Sequence, residues 1–357
     1  MKRIYTLIGY VPLFAGMLML LSSCEHKELC FDHDAHAPKY DFRVVATYQQ
    51  EWEIPSGEGP NWKVDSVWNR EFGWQDDGSM QYDSLRPEIP EGLRMHDFPF
   101  SGPSDMINMP ATGGVVGLRP GKHHLLFYNN NTESIIFDDM YSVASAKATT
   151  RTRTRSTYKG NPFSKGDPKE PTVNMPDMLY GNYNEEYTSE RNVEEVVMSV
   201  VMHPMVFKYV VRYEFKHGLE YVGLVRGALS GMASSVLLHN GRTSSEAATL
   251  LFDCTTEWWG AQAIVTTFGV PDYPNEYYVP TRTPRKHALN LEVRLKNGLM
   301  KNFDFDVTDQ IEKQPQGGVI VVKGIEISDE DGEQGSSGFD IKIEGWGNYE
   351  DIVIPLK

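Results

Sequence analysis

Cysteine is scarce in this sequence, runs of basic residues are missing, and no long apolar stretch follows residue 21; each shortage excludes a class of protein. Three cysteines in 357 residues, Cys24, Cys30 and Cys254, are too few for a disulfide-built scaffold, which needs several bridges. After residue 21 nothing approaches the run of about eighteen apolar residues that a membrane-spanning helix requires. With 34 Lys and Arg against 49 Asp and Glu, the formal net charge is −15, and a nucleic-acid binder would show a basic stripe instead. The one concentration of positive charge, Arg151, Arg153 and Arg155, lies in a Thr-rich stretch that reads as a solvated loop. No nucleic-acid partner is expected. Catalytic signatures are absent too: there is no Gly-x-Ser-x-Gly elbow, no His-Glu-x-x-His pair and no phosphate-cradling Gly-Lys-Ser/Thr loop. A carboxylate pair assembled by the fold leaves no such signature, but neither an enzyme nor a cofactor is expected.

The N-terminus is the most informative segment. Lys2 and Arg3 precede residues 4–21, which contain no charged side chain, and Leu21-Ser22-Ser23-Cys24 follows. A short positive region, an apolar run and small residues before a cysteine form a lipoprotein export signal, with cleavage between Ser23 and Cys24. The competing reading, a membrane-spanning helix, is weakened by Gly9, Pro12 and Gly16 and by the stop at Cys24. Cleavage removes Lys2 and Arg3 and no acid, so the charge moves from −15 to −17. Acyl chains on Cys24 would anchor the body, each buried methylene contributing about 0.8 kcal/mol. Export to an oxidising compartment leaves two fates for the other cysteines: a Cys30–Cys254 disulfide, or two thiols with Cys254 packed as a small apolar residue.

Beyond the tether, residues 24–38, the chain is long enough for two domains. A Pro- and Thr-rich stretch in the middle suggests a first domain over 39–160, an irregular connection over 161–188 and a second domain over 189–357. Most segments alternate with period two. Residues 41–48 set Phe42, Val44 and Ala46 against Arg43, Val45 and Thr47, and the rhythm returns at 123–128, 209–215, 261–268, 289–295, 319–327 and 351–354. An all-β fold of two sandwiches is expected. The best helix candidate is 189–202, with Val193, Val196, Val197 and Val200 on one helical face, although its β-branched content suits a strand equally.

Three clusters have the right chemistry in the wrong setting. Cys30, Asp32, His33, Asp34 and His36 are ligand types on a tether with no metal-site spacing, so no metal is expected. Asp329, Glu330, Asp331 and Glu333 lack the EF-hand pattern and read as a charged hairpin turn. Ser230, Ser234 and Ser235 sit among small residues that suit a tight crossing in a sheet. Trp52, Trp62, Trp68 and Trp74 lie close together in the first domain and are candidates for stacking on sugar rings, or for core packing.

Four stretches together carry a family likeness: GGVVGLRPGKHHLLFYNNNTE at 113–133, GALSGMASSV at 227–236, FDVTDQI at 305–311, and the close at 339–356 with Trp346. With Cys24 and the acidic Glu25 and Glu28, the chain resembles an uncharacterised family of Bacteroidota-type lipoproteins similar to the fimbrillin superfamily of pilus subunits. The resemblance implies two tandem transthyretin-like β-sandwich domains on the cell outer membrane, facing outward. It also implies an anchor, tip or accessory role or adhesion to a host ligand, with other fimbrial subunits as partners. In that family an extended segment of one subunit fills a groove in the next, after a cut beside an arginine. Asp351, Ile352, Ile354 and Leu356 have the alternation of a donor strand, unless they form the last strand of their own domain, and Arg43, Arg70 and Arg86 are the candidate cut sites. The contending function is glycan binding in a nutrient-uptake system.

Overall fold

The computed structural model describes residues 38–50, 73–74, 85–153, 157–158, 161–162, 169–192, 194–273 and 285–333. The described residues from 40 onward belong to one compact unit, and their regular structure is mostly strand with few helices. β1 (Tyr40–Tyr48), β2 (Gly92–Pro99), β3 (Asp105–Pro110), β4 (Gly113–Leu118), β5 (Gly121–Asn129), β11 (Tyr180–Ser189) and β12 (Val196–Pro204) form one sheet in the order β3-β2-β5-β11-β12-β1-β4. β11 and β12 pair only at Tyr180 opposite Pro204 and Gly181 opposite His203, so the sheet turns there and its halves face each other. Phe42, Val44, Val116, Val200 and Met202 from one half pack on Leu93, Met95, Leu125, Phe127 and Tyr180 from the other. Aromatic edges close the seam, Phe42 to Tyr187 at 4.9 Å and Tyr48 to Tyr180 at 5.0 Å between ring centroids.

The other face of β2 and β5 is covered as well. β6 (Ile135–Asp138), β7 (Lys147–Thr150) and β15 (Ser235–Leu237) make a three-stranded sheet whose Ile135, Ala148 and Val236 meet Phe98, Leu126 and Tyr128. β5 is therefore buried on both faces, which explains its unbroken apolar run Leu125-Leu126-Phe127-Tyr128. A two-residue ladder joins β8 (Thr157–Tyr158) and β9 (Asn161–Pro162).

The second sandwich pairs two sheets. One runs β10 (Thr172–Val173), β16 (Ala247–Asp253), β14 (Val222–Ala233), β19 (Ala288–Leu295) and β20 (Met300–Asp306); the other runs β17 (Thr255–Glu257), β18 (Gly260–Thr267), β13 (Phe207–His217) and β21 (Gly318–Glu326). Tyr209, Val211 and Tyr213 of β13 and Ile320 and Val322 of β21 face Leu229, Leu250, Leu289, Leu291 and Val293 across the core. An ion pair, Arg226 with Glu292, is buried within this body. Two short helices, α1 (Thr308–Glu312) and α2 (Asp329–Glu333), follow β20 and β21.

The all-β expectation matches this architecture. Within the segment 189–202, residues 196–202 are strand in β12, not helix, because β1 lies beside them and Val200 and Met202 reach the first core. Residues 196–202, expected in the second domain, are hydrogen-bonded along β1 in the first sheet. The long β1–β12 pairing decides this, because it draws 180–204 back into the first sheet.

Candidate functional site

The feature with most functional content is the bed of β1. This strand pairs in parallel with β12, from Phe42 opposite Val196 to Tyr48 opposite Met202. On its other side it pairs antiparallel with β4, from Tyr40 opposite Leu118 to Val45 opposite Gly113. Phe42, Val44 and Ala46 point into the core and Asp41, Arg43, Val45 and Thr47 point outward. Two further bonds fix its exit, Ala46 N–H to the Thr112 carbonyl (3.1 Å) and Gln49 N–H to the Met202 carbonyl (3.0 Å). Gly113 makes the close approach of β4 feasible: its φ is +100°, and a Cβ there would lie 2.1 Å from the Val44 oxygen. Burial pushes the Tyr48 phenol up to about 12, so it stays a neutral donor to the Ala111 carbonyl at 2.8 Å. Around β1 the outer face exposes Val45, Val115, Val197 and Val201. An ion pair between Arg43 and Glu195 crosses it, with Nη2 to Oε1 at 2.7 Å.

Of the arginines considered as cut sites, Arg43 lies inside β1, hydrogen-bonded on both sides. Arg86 is followed by buried Pro87 and preceded by buried Leu85, and its carbonyl accepts a bond from Lys208 Nζ at 3.3 Å. A proline after the scissile bond carries no N–H and a locked φ, and the buried neighbours keep this bond from the extended pose a protease needs. Arg70 lies outside the described residues, as do Ser23, Cys24, Cys30, Asp351, Ile352, Ile354 and Leu356. Cys254 is described: it packs against the second core, and burial pushes its thiol well up.

The glycan-stacking candidates need correction at Trp74. Its indole is 3% exposed and covers Arg212, whose guanidinium lies 5.2 Å from the ring centroid, so it offers no face to a sugar. Trp52, Trp62 and Trp68 are outside the described residues. Trp258, by contrast, stands 79% exposed between β17 and β18.

The acidic run forms the helix α2 where a hairpin turn was expected, and it is tied to cations of the chain itself. Asp329 accepts from His217 (2.8 Å) and Tyr221 (3.1 Å), and Asp331 pairs with Lys301 (2.6 Å). Those donors hold both carboxyls below the usual range. Among the described residues no group of His, Cys, Asp and Glu is arranged to hold a metal ion. Ser230 is fully buried, its hydroxyl bonded to the backbone of Ala288. A His–Asp couple, which sequence reading did not single out, joins His123 Nδ1 to Asp97 at 2.7 Å within the first sandwich. The other ring nitrogen is held by the Arg119 carbonyl at 2.8 Å. With both nitrogens engaged and the ring 1% exposed, this couple ties β2 to β5 and is not poised to take a proton from a substrate.

Residues 80–253 match the family model described as Domain of unknown function (DUF5119). The "Putative fimbrium anchoring subunit Fim4B" of Bacteroides ovatus is 24% identical over 313 residues, spanning 78% of this chain and 89% of that protein. A crystal structure of "a putative adhesin" from Bacteroides ovatus superposes with a TM-score of 0.55 at 21% identity, covering 83% of this chain and 97% of that one. "The fimbrial anchor protein Mfa2 from Porphyromonas gingivalis" is a more distant match, with a TM-score of 0.40 at 12% identity over 80% of this chain and 91% of that one. Residues 80–253 thus match a DUF5119 domain, and the chain is similar to a fimbrium anchoring subunit.

Proposed function

We propose that this protein is the lipid-anchored base or an accessory subunit of a cell-surface fibre, joined to its neighbour by strand addition. The observation that carries the reading is the position of β1. It is the first described strand after the expected tether, yet it is bedded between β12 and β4, one strand in from the sheet edge, which supports a chain that keeps its N-terminal segment in the fold. Such a bed offers unpaired backbone groups on two sides and an apolar trough below, and only an alternating strand satisfies both. In this subunit its own β1 fills the bed. The protected bonds after Arg43 and Arg86 favour an anchor that keeps its first strand over a stalk subunit trimmed at an arginine. Acylated Cys24, an outward-facing place on the outer membrane and other fimbrial subunits as partners belong to the same reading. In it, residues 351–356 are the segment offered to a neighbour.

Mass spectrometry of the mature N-terminus from host cells tests it. An acylated Cys24 is expected; a chain beginning after Arg43, Arg70 or Arg86 refutes the anchor. Deleting 351–356 should abolish high-molecular-weight assemblies while leaving the subunit folded, and unchanged assembly would remove the donor role.

A further inference from the structure

We propose that the outer edge of β21 is a strand-pairing surface for a second copy of this chain, held shut by the side chains of Gln310 and Gln314. This inference goes beyond the anchor reading and does not depend on it.

Among the described residues β21 ends its sheet, paired in parallel with β13 on its inner side. In a parallel ladder, alternate residues turn their N–H and C=O groups toward the neighbour and away from it. Val319 and Val321 turn theirs away, and side-chain amides meet all four groups. Val321 N–H donates to Gln310 Oε1 (2.8 Å), and its carbonyl accepts from Gln310 Nε2 (3.0 Å). Val319 N–H donates to Gln314 Oε1 (2.8 Å), and its carbonyl accepts from Gln314 Nε2 (2.8 Å). Each glutamine therefore donates and accepts as a strand residue does. The spacing allows it, since one helical turn rises about 5.4 Å and two strand residues about 6.6 Å.

The FDVTDQI stretch at 305–311 supports these two side chains. Asp306 Oδ1 accepts from Thr308 N–H (3.0 Å), and Thr308 Oγ1 accepts from His287 N–H (3.0 Å). Val307 and Ile311, 1% and 0% exposed, root α1 in the second core. Gly318 leaves room for the second amide, because a Cβ there would run into Gln314 Oε1.

What the amides cover is suited to pair with itself. Residues 318–322, Gly-Val-Ile-Val-Val, are buried, uncharged and mostly β-branched, the composition that joins edge to edge when uncovered. By contrast β20, at an edge of the facing sheet, carries Lys301, Asp304 and Asp306. A two-fold axis at Ile320 sets Val319 opposite Val321 of the second copy, and opposed residues of an antiparallel ladder exchange both bonds. That register satisfies the same four groups on each copy. It also sets Lys323 opposite Gly317 of the second copy, so no like charges meet.

Hydrogen exchange and sedimentation velocity on the purified protein test this. Gln310→Ala should speed exchange of the Val321 amide at least tenfold, and Gln314→Ala that of Val319, while β5 and β19 keep their rates. Unchanged exchange at those two amides, or an equal rise through β19, overturns the closure. With both glutamines changed to Ala, concentration-dependent dimers are expected in which amides 319 and 321 are protected again. Changing both to Met keeps the stems packed and should do the same. Double variants that stay monomeric, or associate with 319 and 321 still open, overturn the pairing surface. Assembly through 351–356 leaves exchange in β21 as it is, so a failure of the anchor reading is told apart.

Discussion

Remove residues 24–48, so that the chain starts at Gln49, and the consequences can be worked from the bed of β1. Phe42 and Val44, 2% and 1% exposed, each contribute about 1.5–3 kcal/mol of burial, and the hydrogen bonds on both edges are lost as well. The total of roughly 3–6 kcal/mol from side chains alone is a large part of the about 5–15 kcal/mol that holds a folded protein together. The truncated chain should lose much of its thermal stability and associate through the opened bed. A synthetic peptide of residues 40–48 should restore its melting temperature. Replacing Val44 by Asp in that peptide buries a carboxylate in an apolar trough, so its binding should weaken by at least about a hundredfold, roughly 3 kcal/mol. Fluorescence polarisation of the labelled peptides reads this directly. If the truncated chain melts as the intact one does, or binds both peptides equally, β1 is not a strand in a complementable slot and the argument for strand addition fails.

Three further outcomes follow from single residues. Gly113→Ala puts a Cβ onto the Val44 carbonyl at positive φ, so faster amide exchange in β1 and a loss of more than about 1 kcal/mol are expected in denaturant melts. Burial, with Arg94 nearby, brings the His96 imidazole from 6.5 down to about 4. The unfolded chain therefore takes up that proton first, and stability should fall as pH drops through 6.5 towards 4, by about 2 kcal/mol at pH 5. His96→Gln should flatten this part of the profile, and an unchanged slope would show that another group is responsible. Glu292→Gln leaves Arg226, 5% exposed, without its counter-charge and should cost about 3–5 kcal/mol in urea unfolding, whereas replacing both residues by apolar ones should cost much less.

Legibility varied with the range of the interaction. The two faces of β1 are plain in its residues, because alternation alone separates Phe42, Val44 and Ala46 from Arg43, Val45 and Thr47. The same holds for β13, β18, β19 and β21, whose strands fall close to where period two places them. Residues 189–202 were balanced between helix and strand because local propensity was; the register with β1 settled it. Trp74 resembled its neighbouring tryptophans, and no local pattern marks Arg212 as the surface it covers, so their contact had no signature in the chain.

What the sequence by itself determined is the class of the fold and the acidic, motif-poor character of the chain, and it supplied the expectation of a lipoprotein-type N-terminus from which the proposed anchor starts. Tertiary structure alone decided that the first strand lies between β12 and β4, that 180–204 belong to the first sandwich, and that Trp74 is closed over Arg212. The physical reason is that period and composition are properties of neighbours along the chain, whereas a strand's partner and an indole's burial depend on surfaces that only long-range packing brings together.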